Sequence, residues 1–145
     1  MPLFEYLIVD CVAYSIKEKI DLLMNDGILP LMSIDMDVLP EIEYQWNEFL
    51  LEAVIDLFYD DMLIVHPTIK DRRYQRGIVV LKEKNIDSYS HIVAHMMERF
   101  GIEAMTESQF LSFLVVHNLA KKMIPNELNN SDYVKKEGDL YIRVH

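Results

Sequence analysis

An apolar stripe at residues 3, 4, 7, 8, 11, 12, 16, 20, 23 and 24 is the first strong pattern along the chain. Steps of three and four place these positions on one side of a helix, which predicts a helix over residues 3–25, LFEYLIVDCVAYSIKEKIDLLMN. Asn25-Asp26-Gly27 ends it, with Gly27 suited to the left-handed conformation and Pro30 soon after. Residues 28–40 then read as a mostly apolar connector carrying Asp35 and Asp37. Pro40 can occupy a first helical turn, where its missing N–H is no loss, so a second helix is predicted from there to about Leu63. Its core side is expected to hold Trp46, Phe49, Leu50, Ala53, Val54 and Leu57, and His66-Pro67 closes the segment.

The second half has a different rhythm. IVVLK, residues 78–82, is short and β-branched, as strands are. Asp87 or Ser88 can cap a helix running to about Phe100, with Gly101 at its end. Thr106 followed by Gln109 is a capping-box pattern that opens a helix to about Met123. YVKK and LYIRVH flank Glu137-Gly138-Asp139, which predicts a terminal hairpin. Strand, helix, helix, hairpin is the order of a winged-helix half. The expected class is therefore α+β, mainly α, with an N-terminal pair of long helices packed on a winged-helix-like half. A chain of 145 residues suits one domain, here divisible into an acidic helical part, residues 1–66, and a winged-helix-like part, residues 74–145.

Composition adds bounds. Half of the residues are apolar (51%), so a core can form without staples, and the single cysteine rules out an intramolecular disulfide. Cys11 stands among Leu7, Ile8 and Val12 and is expected to be a small buried hydrophobe. The N-terminus lacks a basic stretch, and Glu5 and Asp10 interrupt its apolar run, so neither a signal peptide nor a membrane span is expected, and the cytoplasm is the default compartment.

Charge changes the picture most. The net charge is −10, and between Lys19 and Lys70 there are eleven acids and no base. Outside that interval 24 − 11 = 13 acids meet 14 lysines and arginines, leaving +1. Such asymmetry speaks of partners rather than of fold, and it disfavours nucleic acid as a ligand of this half. On the predicted second helix Glu41, Glu48, Glu52 and Asp56 fall within a band of about 80° at 100° per residue. Gln45 and Tyr59 share the band and Asp60 lies just beyond it. Glu48–Glu52 and Glu52–Asp56 are like-charge pairs, each costing roughly a few tenths of a kcal/mol. Two readings follow: a solvated outer face screened by salt, or a docking surface for a basic partner made of Asp35, Asp37, Glu41, Tyr44, Glu48, Glu52, Asp56, Tyr59 and Asp60, with Asp61 able to extend it.

Other chemistry is sparse. His91 and His95 share a helix face at a spacing that can chelate zinc, with Glu98 following and His117 on the next helix, yet Ile92 stands where an HExxH motif would place its glutamate. An amphipathic packing helix is the simpler expectation. Asp35-Met36-Asp37 lacks the rest of a calcium loop. Asp60 and Asp61 point about 100° apart on a helix and do not naturally share a site. There is no GxSxG, no GxGxxG and no GxxxxGK[ST] motif. No cofactor, metal or catalytic activity is expected. The sequence thus points to an acidic inhibitor or immunity-type protein that imitates nucleic-acid charge and neutralises a basic nuclease or nucleic-acid-binding partner. The alternative is a winged-helix DNA-binding regulator whose acidic half dimerises or binds another regulator, with Arg72, Arg73 and Arg76 holding the duplex. A subunit of a larger assembly is a third reading, and homodimerisation is left open.

Overall fold

The structure, a computed structural model, describes residues 10–42, 45–67 and 77–144, with the backbone alone at Asp10 and Cys11. The elements in order are α1 (Asp10–Leu23), β1 (Ile28–Pro30), α2 (Glu48–Phe58), β2 (Met62–Val65), β3 (Ile78–Leu81), α3 (Tyr89–Arg99), β4 (Ala104–Thr106), α4 (Glu107–Val116), β5 (Val134–Glu137) and β6 (Leu140–Arg143). The strands form two antiparallel sheets of three, ordered β1-β3-β2 and β4-β6-β5. The chain divides into two compact units, Met1–Ile64 with Val79–Lys84, and Val65–Ile78 with Asn85–His145.

In the first unit Ile16 and Ile20 of the expected stripe are buried, with Ala13, in one core with Leu51, Val54, Ile55 and Tyr59, while Leu23 of the same stripe is 44% exposed. Residues 3–9 of the predicted helix lie outside the described residues. After the helix, Asn25 and Ile28 exchange both backbone hydrogen bonds (3.1 and 3.2 Å) around Asp26 and Gly27, whose φ angles are +56° and +73°. Two consecutive positive φ values make the type I′ turn that suits a tight reversal, and the expected connector begins as a strand instead. A Cβ on Gly27 would lie 2.9 Å from Lys84 Cγ, so the position needs glycine for space as well as for its backbone.

The N-terminal pair of long helices is not present. The second helix spans 11 residues, Glu48–Phe58, rather than running from Pro40 to Leu63. Asn47 decides its start: the side chain accepts from Leu50 N–H at 2.9 Å, a cap that Pro40 cannot supply. Before it, Asp35 accepts from Asp37 N–H at 3.0 Å and opens a short 3-10 turn, Met36–Val38. Beyond Tyr59 the run Met62–Val65 is a strand, as its branched apolar composition favours. The inward face is also rotated from expectation. Leu51, Val54 and Ile55 are buried, whereas Phe49 (71% exposed) and Leu57 (52%) face outward and Leu50 and Ala53 are half-buried. Trp46 is buried as expected, donating its indole N–H to Pro40 O at 2.7 Å.

The second unit holds two helices and the second sheet. Ser88 caps α3 by accepting from His91 N–H, and Gly101 (φ +70°) ends it while Ile102 N–H returns to Met97 O at 2.8 Å. Thr106 and Gln109 form the reciprocal capping box of α4. That helix stops at Val116, short of Met123, because Asn118 adopts φ +58° and Leu119 N–H bonds to Leu114 O at 2.8 Å, closing the end. The hairpin β5–β6 turns at Gly138-Asp139, pairing Glu137 with Leu140. The expected winged-helix-like order of strand, helix, helix and hairpin is not what the second unit holds. β3 belongs to the sheet with β1 and β2, and the strand beside the hairpin is β4, pairing Ala104 with Ile142 and Thr106 with Leu140. Tyr89 donates to Leu119 O at 2.6 Å, and Phe110 stacks on Tyr141 at 4.5 Å, tying the helices to the loop and the sheet.

Candidate functional site

The acidic residues of the expected docking surface fall in four places of the first unit. Asp35 caps the 3-10 turn and Asp37 lies within it, Glu41 stands in the irregular segment after Pro40, and Glu48, Glu52 and Asp56 lie on α2. Asp60 and Asp61 occupy the turn into β2. Asp35, Asp37, Glu41, Asp56 and Asp60 are exposed, while Glu48 and Glu52 are half-buried. Tyr44 lies outside the described residues. Tyr59 is not on a docking face: it is 5% exposed, and its hydroxyl donates to Ala13 O. Burial, followed by the negative charge of Asp21, raises its pKa far above the ordinary phenol value. The single acidic stripe therefore dissolves, because Glu41 is outside the helix and Tyr59 turns inward.

Bases from outside the acidic run compensate part of it. Lys17 reaches Asp61 at 3.0 Å and Asp21 at 3.6 Å, and Lys84 reaches Asp26 at 2.9 Å. Burial pulls the Lys17 pKa down, but its hydrogen bond to Asp61 and the charges of Asp21 and Asp61 outweigh that and leave it raised. A cleft of about 300 Å³ lined by Lys17, Asp21, Asp60, Asp61, Leu81, Lys82 and Glu83 is therefore of mixed sign. Among the described residues, no base lies within ion-pair distance of Asp37, Glu41, Asp56 or Asp60.

Two of these four line one cleft. Asp37, Glu41 and Gln45 give the polar part of a hollow of about 380 Å³ whose apolar part is Met36, Leu39, Ile42 and Trp46. Carboxylates beside apolar and aromatic surface suit a lysine or arginine side chain, which has a cationic head and an aliphatic stem. Charge counting in the sequence identifies Asp37 and Glu41 but not the hollow. Its aromatic lining comes from Trp46, which donates to the Pro40 carbonyl, and that contact has no periodic signature.

The second unit offers less directed chemistry. His91 stacks on Tyr133 (4.1 Å, 3° between planes), and its buried Nδ1 has no hydrogen-bond partner. His117 lies against Phe100 and Phe113 (4.8 and 4.7 Å). No group of three or more His, Cys, Asp or Glu side chains able to hold a metal occurs among the described residues. A cleft of about 810 Å³ is lined by Lys122 and Lys136 but also by Glu107 and Asp139, so its charges cancel. Tyr141, also lining it, donates to Asn129 at 2.7 Å, and burial, then the Glu107 carboxylate, raises its pKa. Arg72, Arg73 and Arg76 lie outside the described residues. Among the described residues no helix is long and apolar enough to cross a membrane. No protein-family model, curated protein or solved structure matches this chain.

Proposed function

We propose that this chain is a protein-binding module that neutralises a basic partner, in the manner of an inhibitor or immunity protein, through the carboxylates of its first unit. The observation that carries the reading is the set Asp37, Glu41, Asp56 and Asp60: exposed, and without an ion pair among the described residues, while Lys17 and Lys84 are engaged elsewhere. Fixed carboxylates of one sign speed encounter with an opposite surface and select against acidic competitors. The hollow at Asp37 and Glu41 would take a lysine or arginine side chain of that partner. A basic protein built to hold phosphates, such as a nuclease, presents the matching surface.

Pull-down from nuclease-treated host lysate, resolved by mass spectrometry at low and moderate salt, tests this. A basic protein that is retained at low salt and released as salt rises is the expected result. Recovery of nothing basic, or loss of every partner on nuclease treatment, contradicts it.

A further inference from the structure

The cleft of about 810 Å³ on the second unit falls within the size range of small-molecule sites, roughly 300–1,000 Å³. Part of its lining is fixed from within the fold. Tyr141 is buried, stacked on Phe110 and hydrogen-bonded to Asn129, and Thr106 is locked in the capping box that starts α4. Leu111, Met123 and Ile124 give an apolar wall. Four charged side chains complete the lining, Lys122 and Lys136 against Glu107 and Asp139, and all four are exposed. Among the described residues none of the four lies within ion-pair distance of an opposite charge, and Lys136 instead stands 5.7 Å from the centre of the Tyr141 ring.

We propose that this cleft binds a short peptide with free ends and apolar side chains. Charge selects the ligand. An anion drawn to Lys122 and Lys136 is opposed by Glu107 and Asp139, and a cation drawn to the carboxylates is opposed by the lysines. A neutral apolar ligand displaces water from these charges and returns no hydrogen bond. A ligand with one charge of each sign matches both pairs. Its ammonium donates to a carboxylate and its own carboxylate accepts from a lysine, each a charge-assisted hydrogen bond. The wall of Leu111, Met123 and Ile124 then covers apolar side chains carried between the two ends. A single amino acid leaves much of the cleft empty, which favours two or three residues. This site uses none of the first unit's carboxylates, so it stands or falls separately from the basic-partner reading.

The test is an NMR titration of the full chain with alanyl-leucyl-alanine, read at the Met123 methyl group and the Tyr141 ring. Saturable shifts are expected at millimolar peptide or below. Blocking either end, by acetylation or by amidation, should weaken binding by about tenfold or more. Removing charge from the protein should cancel the effect of blocking the matching end. With Lys122→Gln and Lys136→Gln together, the amidated peptide should bind as well as the free one. With Glu107→Gln and Asp139→Asn together, the acetylated peptide should do so. Circular dichroism confirms that both variants fold. The inference is overturned by the absence of a saturable shift at either residue, by equal affinity of wild type for free and blocked peptides, or by folded variants that keep the wild-type preference.

Discussion

α2 and α4 are helices of 11 and 10 residues with side-chain caps at Asn47 and Thr106, and each carries apolar residues beyond its buried face. They differ in what surrounds those residues. On α2 the outward Phe49 and Leu57 stand among Glu48, Glu52 and Asp56, whereas on α4 Val115 and Val116 stand among serines and a glutamine. Apolar area that is exposed amid carboxylates can be approached by a basic surface and resists an acidic one. Two helices of similar length thus set their outward apolar residues in different surroundings, with three carboxylates on α2 and one on α4.

The comparison rests first on which face of each helix is inside. Leu51→Ala should destabilise the chain by roughly 2–5 kcal/mol, since it leaves a cavity among buried neighbours. Leu57→Ala, at a position 52% exposed, should stay within about 0.5 kcal/mol. Chemical denaturation of the pair separates the observed rotation of α2 from the one the sequence suggests, and equal losses would remove it.

Next come the caps. Asn47→Ala and Thr106→Ala should each cost roughly 1 kcal/mol, read as a shift of the denaturation midpoint. Little loss at Asn47 would mean that α2 begins earlier, nearer Pro40, and would restore part of the expected longer helix.

The smallest expected effect is on pH dependence. Burial, with Arg99 second, holds the His117 pKa below its ordinary value. The unfolded chain then takes up a proton at higher pH than the folded chain does. His117 therefore costs no stability above the ordinary range and reduces it as pH falls through that range, about 6.5, toward the lowered folded value. The difference in stability between wild type and His117→Gln should shift by a small amount in this direction between neutral and mildly acid pH. No shift would place His117 in water rather than among Phe100 and Phe113.

What the sequence reveals follows the range of the physics involved. The Thr106–Gln109 capping box, the Ser88 cap, the Gly101 stop and the Glu137–Leu140 hairpin are set by residues within a few positions of one another, and local chemistry predicts them. β4 is three residues long and exists through its pairing with β6, more than thirty positions away, so no local pattern marks it. The rotation of α2 is missed for another reason. EFLLEAVIDLF is apolar on several sides, so periodicity alone cannot choose the inner one. Glu48 and Glu52 are in fact half-buried, which moves the core face round to Leu51, Val54 and Ile55. Of the proposed docking surface, the negative sign is legible from counting. The pairing of Lys17 with Asp21 and Asp61, and of Lys84 with Asp26, is not, because Asp61 and Lys84 reach their partners across the fold.

The central claim is that the position of the carboxylates, not merely their number, recruits a basic partner. Two fourfold variants with equal charge separate these: Asp37→Lys, Glu41→Lys, Asp56→Lys and Asp60→Lys in the first unit, and Asp87→Lys, Glu107→Lys, Asp132→Lys and Asp139→Lys in the second. Each set adds 4 × 2 charges and takes the net charge from −10 to −2. Both are compared with wild type in the same low-salt pull-down, after circular dichroism has confirmed folding. The account predicts that the first set loses the basic partner and the second retains it. Equal retention, or equal loss, by the two sets would contradict it.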